Sequence, residues 1–233
     1  MKRRESGTTT TAPRPRRARA LTQQKLDQLL KRSAELIAEK GFEAMSLRDV
    51  RAAAGGSLAG LYHYFDSKED LLYQLQFRTF NGLLESQEQI AAQPGTPEER
   101  FRRLLIGHLM FFAKRTAEHQ ACTFELKSLS GERYEGVEAL RRRYYRLMAS
   151  VVAELRDGVG AGTSESKEAR HAALFIFGML NWVFMWYTPE RYGSVEQIGN
   201  EMLELVLNGL RWGRGKPGAT SVGLPDGRGG LAK

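Results

Sequence analysis

The chain reads as an all-α protein on three observations. Apolar residues recur at helical spacing over long stretches, at 26, 30, 34 and 37 and again at 137, 140, 144, 147, 148, 151, 152 and 155. Helix-opening signatures stand ahead of such stretches, at Ser46, Ser67 and Thr96-Pro97-Glu98-Glu99. No stretch alternates apolar and polar residues between hairpin signals, so no strand is expected. A chain of 233 residues with 42% apolar content builds a sizeable core, in one large or two small domains.

Taken in order, residues 1–20 carry seven basic residues and one acidic, with Arg14, Arg16, Arg17 and Arg19 set among Thr, Ala and Pro. They contain no apolar run, so they are expected to form a disordered basic arm and not a secretory signal. Such an arm is either a solubilising tail or a reach toward phosphates and the minor groove. A helix is expected over 21–40. Ser46 caps the next, with Asp49 in the capping-box position; Leu47 and Val50 point one way, Arg48 and Arg51 elsewhere. Gly55 and Gly56 break it, because glycine accepts the left-handed backbone of a tight turn. Ser57 caps a short helix over 58–64, with Leu61 and Phe65 as its buried side. Ser67, with Asp70 as its capping-box partner, opens a helix that runs to about Ala91.

Thr96 and Pro97 start a helix that contains Leu104, Leu105, His108, Phe111 and Phe112. A shorter helix is expected over 119–129, a long amphipathic one over 133–157, and another over 166–187, stopped by Thr188-Pro189. Ser194 opens the last, which ends near Trp212, and 213–233 reads as a flexible Gly-rich tail. Residues 172–187 are almost wholly apolar, yet sixteen residues fall short of the ~20 that span a bilayer. A helix apolar all round is buried all round. The final helix is similar, so two copies of the chain are expected to pair these helices in a four-helix bundle.

The net charge of +8 lies in the ends. Residues 21–72 carry seven basic and eight acidic side chains and residues 73–210 sixteen and seventeen, whereas residues 211–233 carry five and one. A single cysteine, Cys122, excludes an internal disulfide and fits a reducing cytoplasm.

Residues 46–72 have the layout of a helix-turn-helix DNA reader: short helix, glycine turn, short helix, capped third helix. Gly55, Leu61-Tyr62, Phe65 and Ser67-Lys68-Glu69, with Leu29, Ala34, Leu36-Ile37 and Gly41-Phe42 upstream, closely resemble the DNA-binding domain of TetR-family transcriptional regulators. Two positions depart from that pattern: Gly56 stands where the family has an apolar residue, and Gly60 where it has Thr or another phosphate-touching side chain. The resemblance implies a three-helix DNA-binding domain over 21–72 and a larger helical ligand-binding and dimerisation domain over 73–212. It implies a DNA face made of Arg48, Ser57, Leu58, Ala59, Gly60, Tyr62, His63, Tyr64 and Lys68. Arg48 suits a bidentate contact to guanine, Leu58 and Ala59 a thymine methyl, Tyr62 and Lys68 phosphate oxygens. The other reading of Tyr62 and Tyr64 is packing in a small core.

The larger domain is expected to hold a small molecule. Candidate lining residues are Phe111, Phe112, Phe124, Tyr145, Met148, Phe177, Asn181 and Phe184, although an aromatic stripe at helical spacing also reads as plain core. Phe124, Arg143-Tyr144-Tyr145, Asn181-Trp182 and Trp186-Tyr187-Thr188-Pro189 look like the C-terminal part of TetR-family regulators of lipid and steroid catabolism. The effectors of those regulators are often acyl-CoA thioesters. Arg141, Arg142, Arg143 and Arg146 are either partners for the phosphates of such a ligand or a solvated basic face.

These readings lead to a homodimeric, ligand-responsive transcriptional repressor, released from a palindromic operator in double-stranded DNA by an apolar or acyl-CoA-like effector. Activation from the same site stays open. No phosphate loop or nucleophile elbow appears, so no enzyme, cofactor or bound metal is expected. Two alternatives stand beside it: a thiol or metal sensor built on His119 and Cys122, with Glu125 three residues on, and a non-specific architectural DNA binder using the basic ends.

Overall fold

A computed structural model of the chain describes residues 16–55, 57–158 and 166–212. The expectations for 1–15 and for the tail from 213 onward lie outside the described residues. The helices are α1 (Arg16–Lys40), α2 (Leu47–Ala54), α3 (Leu58–Tyr62), α4 (Lys68–Ala91), α5 (Pro97–Phe112), α6 (Thr116–Phe124), α7 (Gly131–Asp157), α8 (Lys167–Trp182), α9 (Pro189–Tyr192) and α10 (Val195–Trp212). Tight 3-10 turns at Glu125–Ser128 and Val183–Met185 follow α6 and α8. No strand occurs among the described residues.

Several boundaries differ from those expected. Helix α1 opens at Arg16, five residues into the expected arm, in a stretch whose Ala and Arg residues are good helix formers. Helix α3 stops at Tyr62. Helices α6 and α8 end earlier than their apolar patterns suggest, because each tightens into a 3-10 turn. Pro189, read as a stop, also opens the single turn of α9.

The caps explain why the elements begin where they do. At α2 the capping box is complete: the Asp49 amide donates to Ser46 Oγ at 3.3 Å and the Ser46 amide donates to Asp49 Oδ2 at 2.8 Å. The Ser46 hydroxyl, then its amide, then Lys40 hold the Asp49 carboxyl down to about 2. Thr96 and Glu99 repeat the box at α5. At α4 only half of it forms: Asp70 N donates to Ser67 Oγ at 3.0 Å, but the Asp70 carboxylate accepts from Asp66 N and from Gln74. Replacing Ser46 by Ala is expected to lower stability by about 1 kcal/mol. Urea unfolding should show it as a lower midpoint with an unchanged slope.

Two cores are strung on α4. In the head, Leu29, Ala34 and Ile37 of α1 meet Val50, Leu61, Phe65 and the first turns of α4, including Leu71, Leu72 and Leu75. In the body, Leu83 and Leu84 of α4 pack with Phe101, Leu104 and Leu105 of α5, Met148 and Val152 of α7, Ile176 and Leu180 of α8 and Leu203 of α10. The expected domain boundary between 72 and 73 therefore falls inside one continuous helix. The head core also takes in Ala121 of α6, Leu129 just after the 3-10 turn, and Val137 of α7, so body and head share a packed seam.

Candidate DNA interface and effector cavity

The head buries one side of each short helix and turns the other outward. Val50 of α2 and Leu61 of α3 are fully enclosed, while Arg48, Ser57, Ala59, Gly60, Tyr62 and His63 are exposed. Tyr62 leaves half of its surface open, at 52%, on the five-residue helix that follows the turn. With half its surface open, Tyr62 is not a residue of the small head core. Gly55 makes the turn with φ of 70°, a backbone conformation that side chains with a Cβ rarely adopt. Ser57 Oγ accepts from Gly60 N at 3.0 Å, so Ser57 caps α3 in the unbound head. The side chain of Leu58 lies outside the described residues.

Two expected DNA contacts are placed differently. Tyr64 is half-buried, with its ring against His63 and Phe65, and its carbonyl accepts from Gln74 Nε2 at 3.0 Å. Lys68 Nζ donates to the Glu43 carbonyl at 2.9 Å and sits 4.4 Å from the centre of the Phe42 ring. The Tyr64 ring and the Lys68 ammonium thus make contacts within the head itself.

The body holds a cavity of about 430 Å³, within the range of small-molecule sites. Five helices wall it: α4 through Phe80 and Leu83, α5 through His108 and Phe112, α6 through His119, Cys122 and Thr123, α7 through Arg141, Tyr144 and Tyr145, and α8 through Phe177 and Asn181. The α8 contribution is a helical stripe, Leu174, Phe177, Gly178 and Asn181.

Of the expected lining residues, Phe112, Tyr145, Phe177 and Asn181 stand on these walls. Phe184 lines a smaller neighbouring cavity. Phe111 does not line either: one step of about 100° along the helix from Phe112 turns it toward Gly82 and under the Arg115 guanidinium. Phe124 is half-exposed, edge-on to Trp182 and Phe184, and Met148 is wholly enclosed in the core. The sequence reading missed His108, Thr123, Glu138 and Tyr144 as wall residues. A histidine four residues before Phe112 on an apolar helix was the available signal.

The electrostatics are those of a neutral interior with a charged rim. His108 Nδ1 and the Tyr144 hydroxyl share a 2.9 Å hydrogen bond, and His119 Nε2 lies 3.5 Å from Asn181 Oδ1. Burial lowers His119 to about 4 and His108 well below its ordinary range, so both rings are neutral at neutral pH. Burial likewise pushes the Tyr144 hydroxyl up. Arg141 donates to the Cys122 carbonyl at 3.0 Å, and Arg142 pairs with Glu138 at 3.0 Å while leaving 70% of its side chain open. Arg143 pairs with Glu88 on the outside.

Burial raises Cys122 to about 12, which removes the thiolate a thiol sensor would need. Glu125, expected near His119 and Cys122, instead accepts from Phe42 N at 3.3 Å and Ser128 Oγ at 3.0 Å. Among the described residues no three His, Cys, Asp or Glu side chains gather at metal-binding distance. None of the described helices is long and apolar enough to cross a membrane.

Fold and sites together define a helix-turn-helix DNA-binding regulator with a cavity-bearing helical body. Two family descriptions match the same two parts. Residues 29–75 match bacterial regulatory proteins of the tetR family, and residues 94–210 match the tetracyclin repressor-like C-terminal domain. The chain belongs to the TetR family of transcriptional regulators. It is 26% identical to the HTH-type transcriptional repressor KstR2 of Mycolicibacterium smegmatis, over 81% of this chain and 92% of that protein. It is 31% identical to the TetR-family regulator PfmR of Thermus thermophilus, over 77% of this chain and 97% of that one, with a TM-score of 0.67. The fold is also that of AibR in complex with isovaleryl coenzyme A and operator DNA, at 22% identity over 78% of this chain and 97% of that one, TM-score 0.67.

Proposed function

We propose that the protein is a homodimeric repressor that grips a near-palindromic operator and releases it on binding an apolar acyl-CoA thioester. The observation that carries the reading is the double role of α6. Its His119, Cys122 and Thr123 wall the cavity. Ala121, on another face, is buried in the head core, and Gln120 Nε2 donates to the Ala38 carbonyl of α1 at 3.3 Å. Just beyond it, Glu125 accepts from the Phe42 amide at the start of the loop between α1 and α2. A ligand that displaces α6 therefore displaces the head, and it loosens DNA to the extent that it prefers the displaced state.

The effector class is supported by the cavity's size, its neutral aromatic interior and the Arg141–Arg142 rim, which suits phosphate oxygens. The isovaleryl coenzyme A bound by a protein of the same fold points the same way. The dimer is supported by α8 and α10. Phe175 and Trp182 stand on the outward side of α8 with 71% and 51% of their surfaces open, and Leu205 of α10 is 67% open. An apolar face of this extent is rare on a monomer.

Selection of bound duplexes from a random library, at two salt concentrations, tests the reading. A near-palindromic site that survives the higher salt is expected; affinity that collapses with salt and enriches no sequence would sink it. With that site in hand, Arg48→Ala is expected to lose about 1–3 kcal/mol of discrimination at one base pair of each half-site. Competition between the selected site and its single-base variants measures this.

A further inference from the structure

Three rings divide the interior of the body. His108 and Phe112 lie four residues apart on α5, and His119 comes up beside them from α6. Phe112 stacks on His119 with centroids 3.9 Å apart and planes 14° from parallel. His108 closes the triangle, 5.0 Å from Phe112 and 5.7 Å from His119. All three border the 430 Å³ cavity, and all three also border a second cavity of about 40 Å³ on their far side. The far walls are largely apolar: Leu109, Leu180, Val183, Phe184 and Ile198.

The partition is lightly anchored. His108 is held through Nδ1 by Tyr144, while its Nε2 is buried with no hydrogen-bond partner. His119 Nε2 has only the long contact to Asn181. Phe112 is held by ring contacts with His108, Phe111 and His119. The large pocket and the small apolar one thus share three ring-bearing residues as a common wall.

We infer that the His108–Phe112–His119 partition sets the length of the apolar chain the effector pocket accepts, with Phe112 as the residue that decides where it stops. The inference rests on the acyl-CoA reading above. With the thioester's phosphates at the Arg141–Arg142 rim, the acyl chain runs inward and ends against the stacked rings. Each further methylene buried before the partition tightens binding about fourfold. Beyond it, added length has to fold back or stay in water, and the gain ends.

Isothermal titration of the full-length protein with straight-chain acyl-CoA thioesters, from butanoyl to hexadecanoyl, tests this. In the wild-type protein, affinity should climb with chain length and then break. In Phe112→Ala, which joins the two cavities, the break should move to longer chains. Phe112→Leu opens the partition less and should move the break part of the way; it also serves if the alanine variant does not fold. A break at the same length in a folded variant overturns the partition while leaving the acyl-CoA reading intact. Wild-type protein that binds no member of the series overturns the effector class, and the partition with it.

Discussion

Phe175→Glu combined with Leu205→Glu is expected to leave a folded monomer whose operator affinity is about 10²–10⁴-fold below that of the wild-type protein. Both side chains are mostly open in the single chain, at 71% and 67%, and flank a groove between α8 and α10 that is floored by Ile176, Met179 and Val206. Neither belongs to the buried body core, so charge there should not unfold the chain. In the proposed dimer, these like charges would stand unpaired in an apolar interface. Two heads on one rigid body turn the second half-site contact into an intramolecular event, and the monomer loses that advantage. Sedimentation and operator titration on the same samples check it. A double variant that stays dimeric would move the interface elsewhere on the body.

Acidification is expected to destabilise the protein between about pH 6.5 and pH 4, above the usual carboxylate range. The cause is the pair of buried histidines. His119 is lowered from 6.5 to about 4, first by desolvation and against the Asn181 hydrogen bond; burial also lowers His108 well below its ordinary range. A folded-state value below the unfolded one means that the unfolded chain binds more protons in that window. Stability is therefore complete above the unfolded value and falls as pH drops through the folded one. For His119 alone the loss is on the order of 3 kcal/mol. Thermal melts across that window should show it, and His119→Gln should flatten the profile. A His119→Gln profile that overlays the wild-type curve would assign the acid lability to other groups.

Local features were legible in the chain because their causes are local. Ser46 with Asp49, Ser57, and Thr96 with Glu99 each cap a helix within three residues of themselves. The exposed ring of Tyr62 opposite buried Leu61 follows from neighbouring positions on one turn. Lys68 shows the limit: its spacing fits a phosphate contact, and only the folded head adds a carbonyl 25 residues earlier and an aromatic ring as its neighbours. Phe111 and Phe112 read alike as letters, and only the rotation of α5 decides which of them borders the cavity.

The sequence by itself determined the helical class, most element starts, the helix-turn-helix head and the surplus of apolar residues in the last two long helices. Each rests on spacing or capping along one segment. Only the tertiary structure decided the cavity, the neutral state of its histidines and the shared role of α6. His108 meets Tyr144 across 36 positions of chain and His119 approaches Asn181 across 62. Burial by five separate helices, which no single segment encodes, keeps the two rings uncharged.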